Sequence, residues 1–224
     1  MENKINRITD ILRRDDGISG AMMYTEQISW ILFLKYLNDY EEAKHDEALL
    51  DGKEYTYILD EKYRWSNWAC PQQDGKLDKI NAKSGDDLLL FVNGSRHSDE
   101  VGLFDYLRGF KSINEDFKSV RYKSGAIFEF LDNRIANGHT LREVLDLIDE
   151  IKSEISEKNT DFKNKNNYVD AVQNNKMISD LITQAKNDKT ITETAKKQLI
   201  SNLEEIKNKY RKGEILSSKY LPQD

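Results

Sequence analysis

Residues Ser19–Tyr40 read SGAMMYTEQISWILFLKYLNDY, the most apolar segment of a polar chain. Met22, Met23, Ile28, Ile31, Leu32, Leu34 and Leu37 recur at steps of three and four, the repeat of one helical face. Trp30, Phe33 and Tyr36 widen that face until the helix is apolar nearly all round, which predicts a central helix wrapped by others. Glu26, Gln27 and Lys35 interrupt the run, whereas a membrane span needs about 20 mostly apolar residues. The stretch therefore predicts the centre of a soluble helical domain.

On its N-terminal side, Lys4–Arg14 puts Ile5, Ile8, Ile11 and Leu12 on one face, and Asp15-Asp16-Gly17 ends that short helix. Ser19 stands where a cap of the central helix belongs. On the C-terminal side, Tyr40–Leu50 keeps the helical pattern but is heavily charged. Asp51–Asp78 breaks the pattern with dense aromatics and turn residues. Tyr55, Tyr57, Tyr63, Trp65 and Trp68 predict an irregular insertion packed on the helices, with a short strand at Tyr55–Leu59. Such rings bury a large area while keeping a polar tip for hydrogen bonding. A base-stacking platform is the functional alternative, but no frame of Lys and Arg surrounds the rings.

Ser84-Gly85-Asp86-Asp87 predicts a helix start, with a Ser cap and acids at the positive end of the dipole. A polar loop over Asn93–Glu100, containing His97, separates it from a short helix at Gly102–Phe110. Ser124 is placed to cap a helix carrying Ile127, Phe128, Phe130, Leu131 and Ile135, closed by Asn137-Gly138. Thr140 and Glu143 have the spacing of a capping box ahead of Leu141, Val144, Leu145, Leu147, Ile148 and Ile151. Residues 1–151 thus form one expected domain, and residues 152–167 a polar, Asn-rich linker. Residues 168–224 read as an α-helical hairpin tail, with Tyr168–Asn187 as one or two helices and Glu193–Lys212 as the last, capped by Thr192. The narrow stripe Leu199, Ile200, Leu203 and Ile206 predicts docking on a partner or on the first domain. The fold class is mainly α: a helical bundle with an irregular aromatic-rich insertion, plus a C-terminal helical hairpin tail.

The composition agrees. The 224 residues are 33% charged and 38% hydrophobic, a modest core for the length, and Pro71 and Pro222 are the only prolines. Cys70 stands alone, which excludes an internal disulfide framework and points to a reducing compartment. The N-terminus MENKINRITD lacks an apolar signal region, so the expected location is the cytoplasm. The net charge of -6 is uneven: Lys152 to the end carries 14 Lys+Arg and 11 Asp+Glu, about +3, leaving about -9 on residues 1–151. An acidic domain is a poor solitary binder of nucleic acid, because neutralising phosphates needs clustered cations. The local exceptions are Arg13 and Arg14 after the first helix, and Lys118, Arg121 and Lys123 before Ser124. These five are the candidate DNA contacts.

Catalytic motifs are missing. The eleven glycines form no G-x-G, and the chain holds no G-x-x-x-x-G-K-[ST], no Pro-Pro, no H-x-x-x-H and no C-x-x-C. No catalytic, cofactor-binding or metal-binding residue is therefore assigned. Acid pairs such as Asp86-Asp87 and Glu204-Glu205 read as helix starts or solvated faces.

Six segments together carry a family pattern: ISWILFLKYLND (Ile28–Asp39), YILDEKYRWSNWA (Tyr57–Ala69), KSGDDLLLFVN (Lys83–Asn93), YLRGFKS (Tyr106–Ser112), YKSGAIFEFLDNRI (Tyr122–Ile135) and GHTLREVLDLIDEI (Gly138–Ile151). In this order, residues 1–151 resemble the N-terminal helical domain of the methyltransferase subunit of type I restriction–modification systems. The resemblance implies a helical bundle standing before an S-adenosylmethionine-dependent N6-adenine methyltransferase domain. It also implies a complex in which two such subunits join a specificity subunit around DNA. Past Ile151 the family leads into the catalytic domain, where this sequence has the Asn- and Lys-rich tail, and no family is recognised in residues 152–224. No S-adenosylmethionine or target-adenine residue carries over, so the cofactor belongs to the full-length family and none is expected in this chain.

The function expected is a non-catalytic helical module of a type I system that mediates subunit assembly and DNA clamping. Its partners would be the specificity and methyltransferase subunits, with DNA inside the complex and no membrane. Three alternatives remain: a truncated paralogue that competes for partner subunits as a regulatory decoy, a fragment of an active N6-adenine DNA methyltransferase, and an enzyme in its own right.

Overall fold

The computed structural model describes residues 2–73, 76–78, 80–95, 100–111, 116–152, 156–157 and 168–211. Helices dominate them: α1 (Glu2–Leu12), α2 (Ala21–Leu50), α3 (Trp65–Trp68), α4 (Gly85–Asn93), α5 (Leu103–Arg108), α6 (Val120–Phe128), α7 (Gly138–Asp149), α8 (Tyr168–Asn187) and α9 (Glu193–Arg211). The described strands are β1 (Gln72–Gln73) and β2 (Lys76–Leu77), paired antiparallel with Gln72 opposite Leu77. The mainly α class read from the sequence holds. The short strand expected at Tyr55–Leu59 is not formed; the stretch is irregular, and the sheet lies further on. His97, the linker residues 158–167 and the last residues from Lys212 lie outside the described residues.

The chain divides into two compact units. The first comprises Met1–Asn38 and Ile58–Ser153. Its core takes Ile8 and Leu12 of α1, Trp30, Ile31 and Leu34 of α2, and the apolar stripes of α4, α5 and α7. The helix α2 is less uniformly buried than its pattern predicts: Met22 is 86% exposed and Tyr36 about half, while Gln27, which interrupts the apolar run, is wholly buried. Ser19 does not cap α2. Its hydroxyl donates to the Met23 sulfur at 2.9 Å, and the Gly20 carbonyl instead takes the N–H groups of Met23 and Tyr24.

Three of the five insertion rings are core, which overturns the base-stacking alternative for them, while Tyr55 and Tyr57 are half-buried. Tyr63, Trp65 and Trp68 are buried. Tyr63 stacks on Tyr106 with centroids 3.7 Å apart, and Trp68 lies against Phe91 at 5.4 Å. Their polar tips are satisfied inside the unit: Trp65 donates to Asp149 at 2.7 Å, Trp68 to the Tyr63 carbonyl at 3.1 Å and Tyr63 to the Val101 carbonyl at 2.8 Å. Rings packed face and edge with every donor used have no face left for a base.

Three expected helix boundaries move. The cap of α6 is Ser119, whose hydroxyl accepts from the Tyr122 N–H at 3.0 Å. Ser124 is buried in mid-helix and bonds back to the Val120 carbonyl at 2.8 Å. Asn137-Gly138 opens α7 and closes nothing: the Asn137 side chain accepts from His139 and Thr140 N–H. Thr140 therefore sits inside α7, and the Glu143 carboxylate faces Arg7 at 3.6 Å, so there is no capping box. Ser84 does precede α4 as expected, without a side-chain cap bond.

The second unit comprises Asp39–Tyr57 and Glu154–Asp224, so it takes in residues 39–57, which the sequence reading placed with the first domain. The end of α2 explains the grouping. Gly52 has φ +65°, Gly52 N–H bonds the Leu49 carbonyl and Lys53 N–H the Ala48 carbonyl, the Schellman closure of a helix. The carbonyl of Asp51 beside it accepts from Ser179 of α8 at 3.2 Å and from the Lys207 ammonium of α9. A cation at the negative end of a helix dipole is favourable. The hairpin thus bonds to the end of α2 through side chains far away in sequence.

Tyr168–Asn187 is a single helix, and Thr192 caps α9 as expected. Ile178, Ile182 and Leu203 form the centre of the hairpin, flanked by Leu181, Ile200 and Ile206. Leu203→Asp would put a charge into that small core at a cost of about 3 kcal/mol. The expected result is loss of amide-exchange protection over residues 168–211; protection equal to wild type would show the stripe to be unimportant.

Candidate functional site

Nine residues without helix or strand, 129–137, join α6 to α7, and an irregular backbone at a core needs side-chain partners for its polar groups. Three buried or half-buried side chains supply them. Gln27 donates to the Asp132 carbonyl at 3.1 Å and accepts from the Arg134 N–H at 3.0 Å and from Trp30 Nε1 at 2.9 Å. Arg108 donates to the carbonyls of Phe128 and Leu131 and to the Asp132 carboxylate, the last two at 2.6 Å. Asp15, 5% exposed, accepts three backbone N–H groups: Gly17 at 3.0 Å, Ala136 at 2.8 Å and Asn137 at 3.1 Å. None of these roles was assigned from the sequence. The one local signal was Gln27, a polar residue inside the most apolar run.

This scaffold brings the turn after α1 against the starts of α4 and α7. A cleft of about 350 Å³ opens there, lined by Arg14, Asp15, Asp16, Gly85, Asp86 and residues 136–140. Asp15 is occupied by its backbone donors and Asn137 by capping α7, which leaves Arg14, Asp16, Asp86 and His139 as the other exposed polar side chains of the rim. The rim carries both signs of charge. It pairs no nucleophile with a base, and among the described residues no group of three His, Cys, Asp or Glu side chains could hold a metal ion. Cys70 lies elsewhere, buried, with its thiol pushed up to about 12 by burial and further by the nearby Asp149 charge, against the opposing effect of Arg142. Such a thiol is not a nucleophile near neutral pH.

The five basic candidates fall on two elements. Arg13 and Arg14 are exposed at the end of α1; Arg13 lies 3.4 Å from Asp10 and 5.4 Å over the Tyr24 ring. Lys118 and Lys123 are exposed at the start of α6. Arg121 is different: its guanidinium packs 4.1 Å over Phe110 and donates to the Ile58 carbonyl, which makes it a packing residue of the first unit. Of the four candidate partner contacts on α9, Leu203 is buried against α8, Ile200 and Ile206 are half-buried beside it, and Leu199 is exposed. Among the described residues no helix is long and apolar enough to cross a membrane.

Residues 1–86 match the family described as the HsdM N-terminal domain. The methylase subunit of the Escherichia coli type I restriction enzyme EcoEI is 30% identical over 148 residues, which are 66% of this chain and 26% of that protein. The fold resembles that of the modification subunit assigned to a type I restriction enzyme of Vibrio vulnificus YJ016, with a TM-score of 0.59 and 30% identity over 71% of this chain and 32% of that one. A chain from a structure of the type I R-M system, solved to explain complex assembly and conformational transition, gives a TM-score of 0.50 at 28% identity, over 77% of this chain and 30% of the other. The chain thus spans between a quarter and a third of the length of these relatives, all of them from type I systems and two of them methylase or modification subunits.

Proposed function

We propose that this chain is a non-catalytic helical module of a type I restriction–modification DNA methyltransferase, which mediates subunit assembly and helps clamp DNA. The observation that carries the reading is the match of residues 1–86 to the HsdM N-terminal domain, within a longer similarity to methylase subunits of type I systems. The partners are the specificity and methylase subunits, and DNA within their complex. S-adenosylmethionine is held by the full-length methylase subunit and not by this chain. Arg13 and Arg14, exposed at the end of α1, are the residues proposed to meet phosphates; Arg121, engaged by Phe110 and Ile58, is not.

Co-expression with the type I specificity and methylase subunits of the same genome tests this. The chain is expected to co-purify with them and to strengthen their binding to duplex DNA. In that complex, Arg13→Glu with Arg14→Glu is expected to flatten the dependence of log affinity on log salt by about 0.9 for each phosphate that is no longer neutralised. Absence of co-purification overturns the assembly role, and an unaltered slope removes both arginines from the DNA surface.

A further inference from the structure

We infer that the exposed face of α6 is a docking surface for an amphipathic helix of a partner subunit, one with an apolar stripe flanked by acidic side chains. The inference rests on the assembly reading and names the surface that serves it. Val120, Lys123 and Ile127 lie at i, i+3 and i+7, and Phe130 follows at i+10 through Glu129, which keeps helical dihedrals (φ -56°, ψ -40°). Val120, Lys123 and Ile127 make one stripe, about 10 Å long at 1.5 Å per residue, and Phe130 stands two residues past the end of the helix. The apolar side chains of this face turn to solvent: Phe130 is 85% exposed, Val120 and Ile127 more than two fifths, and Phe117 just ahead of the helix 66%. The opposite face of the same helix is used internally, with Phe128 fully buried against Phe104 and Phe33. A helix with one face in the core and a second apolar face in water has more apolar surface than its own domain needs.

The charge on this face selects the occupant. Lys123 sits within the stripe, and the Lys118 ammonium lies 5.6 Å over the Phe117 ring. Among the described residues neither belongs to an ion pair. Among the described residues the acids alongside are Asp116, whose carboxylate takes the Lys118 backbone N–H, and Glu129, which Lys111 neutralises at 2.7 Å. In a chain of net charge -6, the described residues of this face set Lys118 and Lys123 against Asp116 as the one acid without a cation, a local excess of positive charge. Phosphate neutralisation gains nothing from four apolar side chains, whereas a protein interface combines an apolar centre with charges at its edge. An amphipathic helical face meets its partner through side chains at just this spacing. Lys118 and Lys123 are thereby assigned to protein docking, not to DNA.

Binding of the full-length chain to the purified specificity subunit, to the purified methylase subunit and to duplex DNA, each measured by biolayer interferometry, tests the surface. All the altered side chains are exposed, and the variants are expected to melt as wild type does. Phe117→Ala with Phe130→Ala, and separately Lys118→Glu with Lys123→Glu, are expected to weaken binding to one of the two subunits by about tenfold or more. Affinity for the DNA is expected to stay unchanged by the alanine pair. Subunit binding equal to wild type in the alanine pair overturns the surface while leaving the assembly reading intact. Loss of DNA affinity in that pair with subunit binding intact makes it a nucleic-acid face and also overturns the inference. Failure of the wild-type chain to bind either subunit overturns the assembly reading and the docking surface with it.

Discussion

Asp15→Ala is expected to lower the unfolding free energy by about 4 kcal/mol, in urea titrations followed by tryptophan fluorescence. The carboxylate is buried and gathers the N–H groups of Gly17, Ala136 and Asn137. Alanine would leave three backbone donors without their acceptor, and each orphaned donor costs on the order of 1–3 kcal/mol. Trp30, Trp65 and Trp68 are buried in the same unit, so its unfolding is visible in their emission. Asp15→Asn keeps one oxygen and turns an amide toward a donor, so an intermediate loss is expected. Asp16→Ala is the control: Asp16 is exposed, and surface changes stay within about 0.5 kcal/mol. Equal losses at both positions would show that the buried acceptor does not hold the connector.

Gly138→Ala and Gly17→Ala are expected to destabilise to a similar extent, about 3 kcal/mol or more each, by overpacking against backbone. A Cβ on Gly138, the first residue of α7, would stand 1.9 Å from the Gly85 carbonyl oxygen at the start of α4. On Gly17 it would stand 1.8 Å from the Arg134 carbonyl oxygen. Neither carbonyl can move without shifting a helix start or the connector. Gly20, the residue before α2, has open space around it, and Gly20→Ala is expected to change stability by less than about 1 kcal/mol. Thermal melts of the three variants distinguish the cases, and a Gly138→Ala protein that melts like wild type would disprove the close approach of α4 to α7. The cleft beside Arg14 and His139 depends on that approach, so its shape is expected to be lost with it.

The helices themselves were legible in residue order. The stripes of α1, α4, α5, α7 and α9 are periodic enough that burying one face is the only way to satisfy them. Thr192 was legible as well, because a cap acts within its own turn, and so was the start of α4 after Ser84, though Ser84 makes no cap bond. The resemblance of residues 1–151 to a type I methylase subunit was legible from the order of six short segments, each uninformative alone.

Where helices stop was not decided locally. Ser124, Asn137 and Thr140 all have capping chemistry, and the chain uses Asn137 because Asp15, Gln27 and Arg108 hold residues 131–137 out of helix by bonds to their backbone. The same holds for function. Arg121 reads as one of three basic neighbours, and only packing against Phe110 separates it from Lys118 and Lys123. The sequence by itself determined which segments coil and which faces are oily, since these follow from spacing within a few turns. Tertiary structure alone decided which polar side chain holds which distant backbone, which apolar face of α6 remains outside, and that the end of α2 joins the hairpin. Those outcomes depend on groups from about twenty to more than a hundred residues apart competing for the same donors and the same buried space.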